Sequence, residues 1–204
     1  DFRQWVIEDK FCKGRPPWEK VGVQFTDNVH GYEDQKIRIL NGGHQILANV
    51  AELLSIETVR DAMKNEIIVK LLEKIEKDEI IPHIKPVPGY TPLEYYELIA
   101  ARFSNPSIQD TIRRVAFDGS SRHSGFLVPS IKDGIKHNIE PNDPHWEKLN
   151  ICAKQSRDNP LKWLEQLEIY GDTFKDKNFC GSFSKWLNMI YERGVENTLN
   201  EYLK

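Results

Sequence analysis

The span from Val29 to Leu54 constrains this chain more than any other, because it predicts one long helix with a contradiction inside it. At about 100° per residue, Ile39, Leu40, Ile46, Leu47 and Val50 share an arc of roughly 120°, a stripe suited to face a core. Lys36 falls in the middle of that stripe. Glu33 and His44 lie on its flank and Asn41 at its margin, while Asp34, Arg38, Gln45 and Asn49 take the opposite side, predicted to face solvent. A lysine is rarely placed among apolar neighbours without a partner or a purpose. Gly42 and Gly43 sit mid-helix, where each costs about 1 kcal/mol against alanine, and they make sense if something approaches the backbone closely there. A snorkelling lysine with two tolerated glycines fits the same spacing.

Composition narrows the class of protein. The 204 residues are 39% hydrophobic and 29% charged, a globular balance that can support one sizeable core, so residues 1–204 are read as one domain. A net charge of −3 offers no electrostatic footing for nucleic acid or an anionic membrane, and no apolar run is long enough to cross a bilayer. Cys12, Cys152 and Cys180 are odd in number and far apart, without CxxC spacing. They read as reduced thiols of a cytoplasmic protein, with no metal site and no disulfide framework. The opening Asp1, with no Met, reads as the start of a fragment or processed product.

In chain order, residues 5–9 and 21–25 are short and rich in valine and aromatics, the pattern of two strands or extended segments flanking a Gly/Pro loop. After the long helix, helical periodicity covers Glu57–Asn65 and Glu66–Glu79, with Ile67, Ile68, Leu71, Leu72 and Ile75 on one side. The run EKIEKDE within it reads as a solvated face with i,i+4 pairs. Thr91-Pro92-Leu93-Glu94 is a capping box with proline at the first helical position, so a helix is predicted to begin at Pro92 and stop at Ser104–Pro106. Further helices are predicted at Ile108–Phe117, Val128–His137, from Pro144, from Pro160 and over Phe183–Leu203. SSRHSGF between the first two reads as a polar turn. His30, His83, His137 and His145 are expected in exposed loops, and the five tryptophans (5, 18, 146, 163, 186) as core or interface anchors. The fold class is therefore mainly α, a multi-helical domain with two short strands near the N-terminus. It carries no GxGxxG phosphate loop, so it is not expected to hold a dinucleotide itself.

Two clusters could carry chemistry. Lys36, Asn41 and His44 put an amine, an amide and an imidazole on neighbouring helix positions. A lysine drawn out of water gives up its proton more readily, an amide N–H can polarise a carbonyl oxygen, and an imidazole can bond a hydroxyl. That set suits proton transfer coupled to carbonyl/alcohol interconversion. Arg114 with Asp118 to His123 (DGSSRH) places cations and small polar groups at a helix end, fit either for a polyhydroxylated or anionic ligand or for a solvated turn capped by Asp118 and Ser120.

The segments WVIEDKF, GRPPWEKVGVQF, YEDQKIRILNGGHQ, ARFSNPSIQDTIRRVAFDGSS and FLVPSI occur in the order found in polyol-specific long-chain dehydrogenases. From end to end the chain resembles the C-terminal, substrate-binding domain of the mannitol dehydrogenase family, densely through Ile131 and more loosely after it. The resemblance implies an N-terminal Rossmann domain that binds NAD or NADP, with this helical domain closing over it. It also implies a metal-independent oxidation of a sugar alcohol to a ketose. By position, Lys36 resembles the family's general base, Asn41 the residue that helps hold the reacting oxygen, and His44 the one that bonds a neighbouring hydroxyl. Glu33 resembles a glutamate that relays the proton to solvent, and Arg114 an arginine on substrate hydroxyls. Where the family often continues DGS with QKLP, this chain has Ser121-Arg122-His123-Ser124. Arg122 and His123 are then expected to line the substrate mouth, with Arg122 in place of a lysine. Mannitol and fructose are the leading pair; arabinitol, sorbitol or a hexuronate, for which Arg122 would supply the extra cation, stay open. So does a non-catalytic helical interaction module. Alone, the chain is expected to be inactive and to bind NADH negligibly.

Overall fold

Asn28 opens the long helix, its side chain accepting from the Gly31 amide 3.1 Å away. In this computed structural model, which describes residues 3–137, 159–165 and 170–204, the helix has three parts. They are α1 (Val29–Gln35), a π-helical turn (Lys36–Asn41) and α2 (Gly42–Leu53). Ahead of it, β1 (Val6–Glu8) and β2 (Gln24–Thr26) form the two expected strands and pair in parallel, Val6 opposite Gln24 and Glu8 opposite Thr26. The sheet packs beside α1.

The remaining helices begin where capping side chains meet orphan amides. Thr58 caps α3 (Val59–Ala62), and Asn65 caps α4 (Glu66–Ile75), accepting from the Ile67 and Ile68 amides. A second π-turn (Glu76–Ile80) follows α4, and Pro82 then lies in a single 3-10 turn. Thr91 and Glu94 form the predicted reciprocal capping box of α5 (Pro92–Phe103). Thr111 caps α6 (Ile112–Ala116), which is shorter than the segment expected from Ile108. The supposed polar turn is itself helical, α7 (Gly119–Phe126), entered through Asp118 at φ +56° and followed by α8 (Val128–Lys136). Pro160 opens α9 (Pro160–Glu165). The final amphipathic segment is two helices. α10 (Lys177–Arg193) is capped by Asp176 and ends at Gly194, whose φ of +79° a left-handed-tolerant residue must supply before α11 (Val195–Tyr202). The helix expected from Pro144, with His145, Trp146 and Cys152, lies outside the described residues.

α2 is the central element. Ile39, Ile46, Leu47 and Val50 are at most 1% exposed, as their stripe predicts, against α4 and α5. Each such side chain contributes about 2 kcal/mol by leaving water. The opposite side of α2, expected in solvent, is covered by α6 and α7, so Gln45 and Asn49 are buried as well. The nitrogen of each side-chain amide finds a partner across that contact, while Gln45 Oε1 and Asn49 Oδ1 have none among the described residues. Gln45 Nε2 donates to the Val115 carbonyl at 3.0 Å, and Asn49 Nδ2 to His123 Nε2 at 3.2 Å. Arg38 is largely buried too, its Nη1 2.8 Å from Asp133 Oδ2 on α8.

The N-terminal aromatics take a different course. Trp5 and Trp18 stack at 5.9 Å yet remain 62% and 41% exposed. Trp186 packs edge-on against Tyr202 inside the helical body.

Candidate active site

The π-turn decides where the candidate residues point. Such a turn holds one residue more than an α-turn, which advances everything before it by about 100° relative to everything after it. On an uninterrupted helix Glu33, Lys36, Asn41 and His44 would spread over about 140°; with the extra residue they gather within about 90°, away from the core stripe. Lys36 is consequently exposed, not buried in the apolar stripe as straight periodicity predicts. The four residues are brought onto one open face of the helix by a single local irregularity, of the kind that recurs at functional sites.

Around that face the groups differ in environment. Glu33 is exposed, and its Oε2 lies 3.3 Å from His30 Nδ1 one turn earlier; His30 is exposed as expected but lies in α1, not in a loop. Asn41 is half-buried at the last position of the π-turn. The His44 imidazole stacks on Phe103, centroids 4.3 Å apart and planes 22° from parallel. Burial, reinforced by the positive Arg114, Arg102 and Lys36 and opposed by Asp110, lowers its pKa to about 4. His44 is therefore a neutral ring at physiological pH, with one N–H to donate and one nitrogen to accept.

Arg114, on α6, reaches the same region. Its Nε and Nη2 both bond the Asp110 carboxylate, a two-point pair that leaves Nη1 for other partners. Asp110, Arg102 and Phe103 line, with Leu40, Ile108 and His44, a small cleft of about 80 Å³. These three neighbours were not picked out in the sequence. The Asp110/Arg114 spacing of four is a readable ion-pair signal, whereas nothing local marks Arg102 or Phe103 as facing His44.

The rest of the DGSSRH segment is differently disposed. Arg122 is half-buried and its Nη1 donates to the Val115 carbonyl at 3.2 Å, the same oxygen that accepts from Gln45. His123, expected at the substrate mouth, is 0% exposed. It is turned inward because residues 119–126 coil into α7 and place it against Asn49 of α2, where a ligand has no access.

Both glycines of α2 admit close neighbours. A Cβ on Gly42 would lie 3.4 Å from Leu127 Cδ2 and from the Phe126 carbonyl; one on Gly43 would lie 2.9 Å from Glu76 Oε1. Glu76 belongs to the run expected to be solvated. Glu73 and Lys77 in that run do form the surface pair, at 2.6 Å, but the second π-turn swings Glu76 inward to 0% exposure. Burial pushes its carboxyl pKa well above the ordinary value.

The sequence pattern of the mannitol dehydrogenase C-terminal domain matches residues 28–140. Mannitol 2-dehydrogenase of Cereibacter sphaeroides is 40% identical over 99% of this chain and 48% of its own length, and that of Aspergillus oryzae 31% identical over 99% and 46%. A solved ternary complex of Pseudomonas fluorescens mannitol 2-dehydrogenase with NAD and D-mannitol superposes with a TM-score of 0.84 at 31% identity, covering 99% of this chain and 46% of that one. A substrate-free D-sorbitol dehydrogenase superposes with a TM-score of 0.81 at 28% identity, over 98% and 46%. The chain thus spans about half the length of the curated relatives it matches.

Proposed function

Because the chain belongs to the mannitol dehydrogenase family through its C-terminal domain, we propose that it is the substrate-binding half of an NAD-dependent polyol dehydrogenase. The reaction is oxidation of a secondary alcohol of a sugar alcohol, mannitol foremost, to the ketose. The observation that carries this reading is the clustering of Lys36, Asn41 and His44 on one open arc of the helix, with Arg114 beside it.

Each group has a definite task. Lys36 Nζ, exposed at the start of the π-turn, takes the hydroxyl proton as the alcohol is oxidised. The Asn41 amide donates to the same oxygen as negative charge builds on it, the role a metal ion would otherwise fill. Neutral His44, its ring plane set by Phe103, bonds the neighbouring hydroxyl as donor or acceptor. Glu33, a turn before Lys36 and open to water, passes the proton outward. Arg114, steadied by Asp110, donates to hydroxyls farther along the substrate. NAD, when bound, would supply the hydride acceptor, held mainly by residues of the half of the protein that this chain does not include. Exposed Trp5, just before β1, with Trp18 and Val21 in the 3-10 turn between the two strands, form the apolar surface against which that half packs.

With Nη1 donating to the Val115 carbonyl beside Gln45, Arg122 is drawn toward the contact of α2 with α6, which favours a neutral polyol over a hexuronate that would need Arg122 as an added cation. The test is a panel of polyols, ketoses and hexuronates assayed with NAD and NADP on this chain joined to its nucleotide-binding half. Mannitol oxidation with NAD, lost in Lys36→Ala, is the expected result. A protein that binds the nucleotide but turns over no member of the panel is an interaction module instead.

A further inference from the structure

Glu76 is a buried carboxyl in contact with the site helix that the proposed chemistry leaves unused. Neither of its carboxyl oxygens has a hydrogen-bond partner among the described residues, and it is 0% exposed. A carboxyl in that situation is unfavourable even when uncharged, and a leucine of similar volume would avoid the cost. Gly43, opposite it, is unfavourable too, since a mid-helix glycine is worse than alanine. The two liabilities meet at one contact, because a side chain at position 43 would sit 2.9 Å from Glu76 Oε1. The same absent Cβ would lie 3.5 Å from Phe103, the ring on which His44 stacks. Glu76, Gly43, Phe103 and His44 therefore form a continuous packed series, and His44 directly follows Gly43 in the chain. Local rules broken together, next to a site, mark a place where geometry outweighs stability.

Resting on the dehydrogenase reading above, we propose that Glu76 is a positioning residue of the polyol site, acting through Gly43 and Phe103 on His44. Its carboxyl sets how closely α4 approaches the first turn of α2, and so fixes the His44 ring and the neighbouring Asn41 relative to Lys36. Glutamine keeps the planar shape and polar atoms; leucine or methionine keeps the bulk without them.

The experiment uses the full-length enzyme with Glu76→Gln, Glu76→Leu, Glu76→Met and Gly43→Ala. Glu76→Leu is expected to melt at or above the parent temperature yet to raise KM for the polyol about tenfold or more, with NADH affinity unchanged, while Glu76→Gln stays within about threefold of the parent. Gly43→Ala should reproduce the KM defect with Glu76 intact. On the same proteins, NMR of isotope-labelled histidine should find the His44 titration displaced in Glu76→Leu and restored in Glu76→Gln. Folded Leu and Met variants with parental KM, kcat and His44 titration overturn the proposal, as does failure of every Glu76 variant to fold, which would make the residue purely structural. If the parent itself oxidises no polyol, the functional reading falls, and the NMR arm alone decides whether Glu76 positions His44.

Discussion

The Phe103 ring stacks on the His44 imidazole, centroids 4.3 Å apart and planes within 22° of parallel. Burial, to which this contact contributes, outweighs every charge nearby in keeping His44 neutral.

A pH dependence follows from that enclosure. Unfolded, His44 takes its proton near 6.5; folded, near 4. The folded state binds fewer protons between these values, so stability is full above about pH 6.5 and falls as pH drops toward 4, by on the order of 3 kcal/mol. Chemical denaturation across pH 4–7 should find this loss in the parent and a flatter acid limb in His44→Gln.

Glu76 acts in the opposite direction. Its folded pKa is raised by burial, so the folded state holds a proton that the unfolded state has released. Stability therefore declines as pH rises above the ordinary carboxylate range. Glu76→Gln removes the decline, and its denaturation midpoint should exceed the parent's by a margin that widens from pH 5 to pH 8. Parallel curves would mean that Glu76 keeps an ordinary pKa.

Lys36→Ala in the full-length enzyme is expected to lower kcat by roughly 10²–10⁴, the span of a lost general base. Since Lys36 is exposed, Lys36→Met should leave the melting temperature within a degree or two, about what a neutral surface change does. Near-normal turnover in either variant would remove Lys36 from the mechanism.

Asp110→Asn keeps the size of the side chain but loses the charge that holds Arg114 at two points. An arginine left to swing should raise KM for mannitol about tenfold while kcat changes less, since its contacts would serve binding more than the chemical step. Steady-state kinetics on Asp110→Asn, Arg114→Ala and the double variant test this. Equal defects in all three indicate one shared function, and additive ones two separate functions.

Where local chemistry is complete in a few residues, the sequence is a faithful guide. Asn28, Asn65, and Thr91 with Glu94 each open a helix where its start is predicted, and Ile39, Ile46, Leu47 and Val50 are buried as their spacing requires, although the last long helix starts after Asp176, ahead of the predicted Phe183. The glycine pair likewise signals close approach, and the structure supplies the neighbours in Leu127 and Glu76. Two of the errors share one physical source. Nothing in KIRILN or EKDEI announces an added residue in the turn, so Lys36 was expected inside and Glu76 outside, and each is reversed. Gln45, Asn49 and His123 were misplaced for a different reason. A polar side chain can be buried when its partner comes from far along the chain, as with Asn49 and His123, and one sequence gives no view of that pairing.

The π-turn also makes the site removable by the smallest possible edit. A chain lacking Ile37 can close Lys36–Asn41 into ordinary α-helix, which improves the backbone hydrogen bonding and returns the lysine toward the apolar interior. Such a deletion is expected to leave a folded helical domain with its capping and most of its core intact, and with no dehydrogenase activity once joined to the nucleotide-binding half. That outcome would make fold and activity separable by a single codon. A relative that has lost those three bases would pass every test of overall likeness and still be a silent copy.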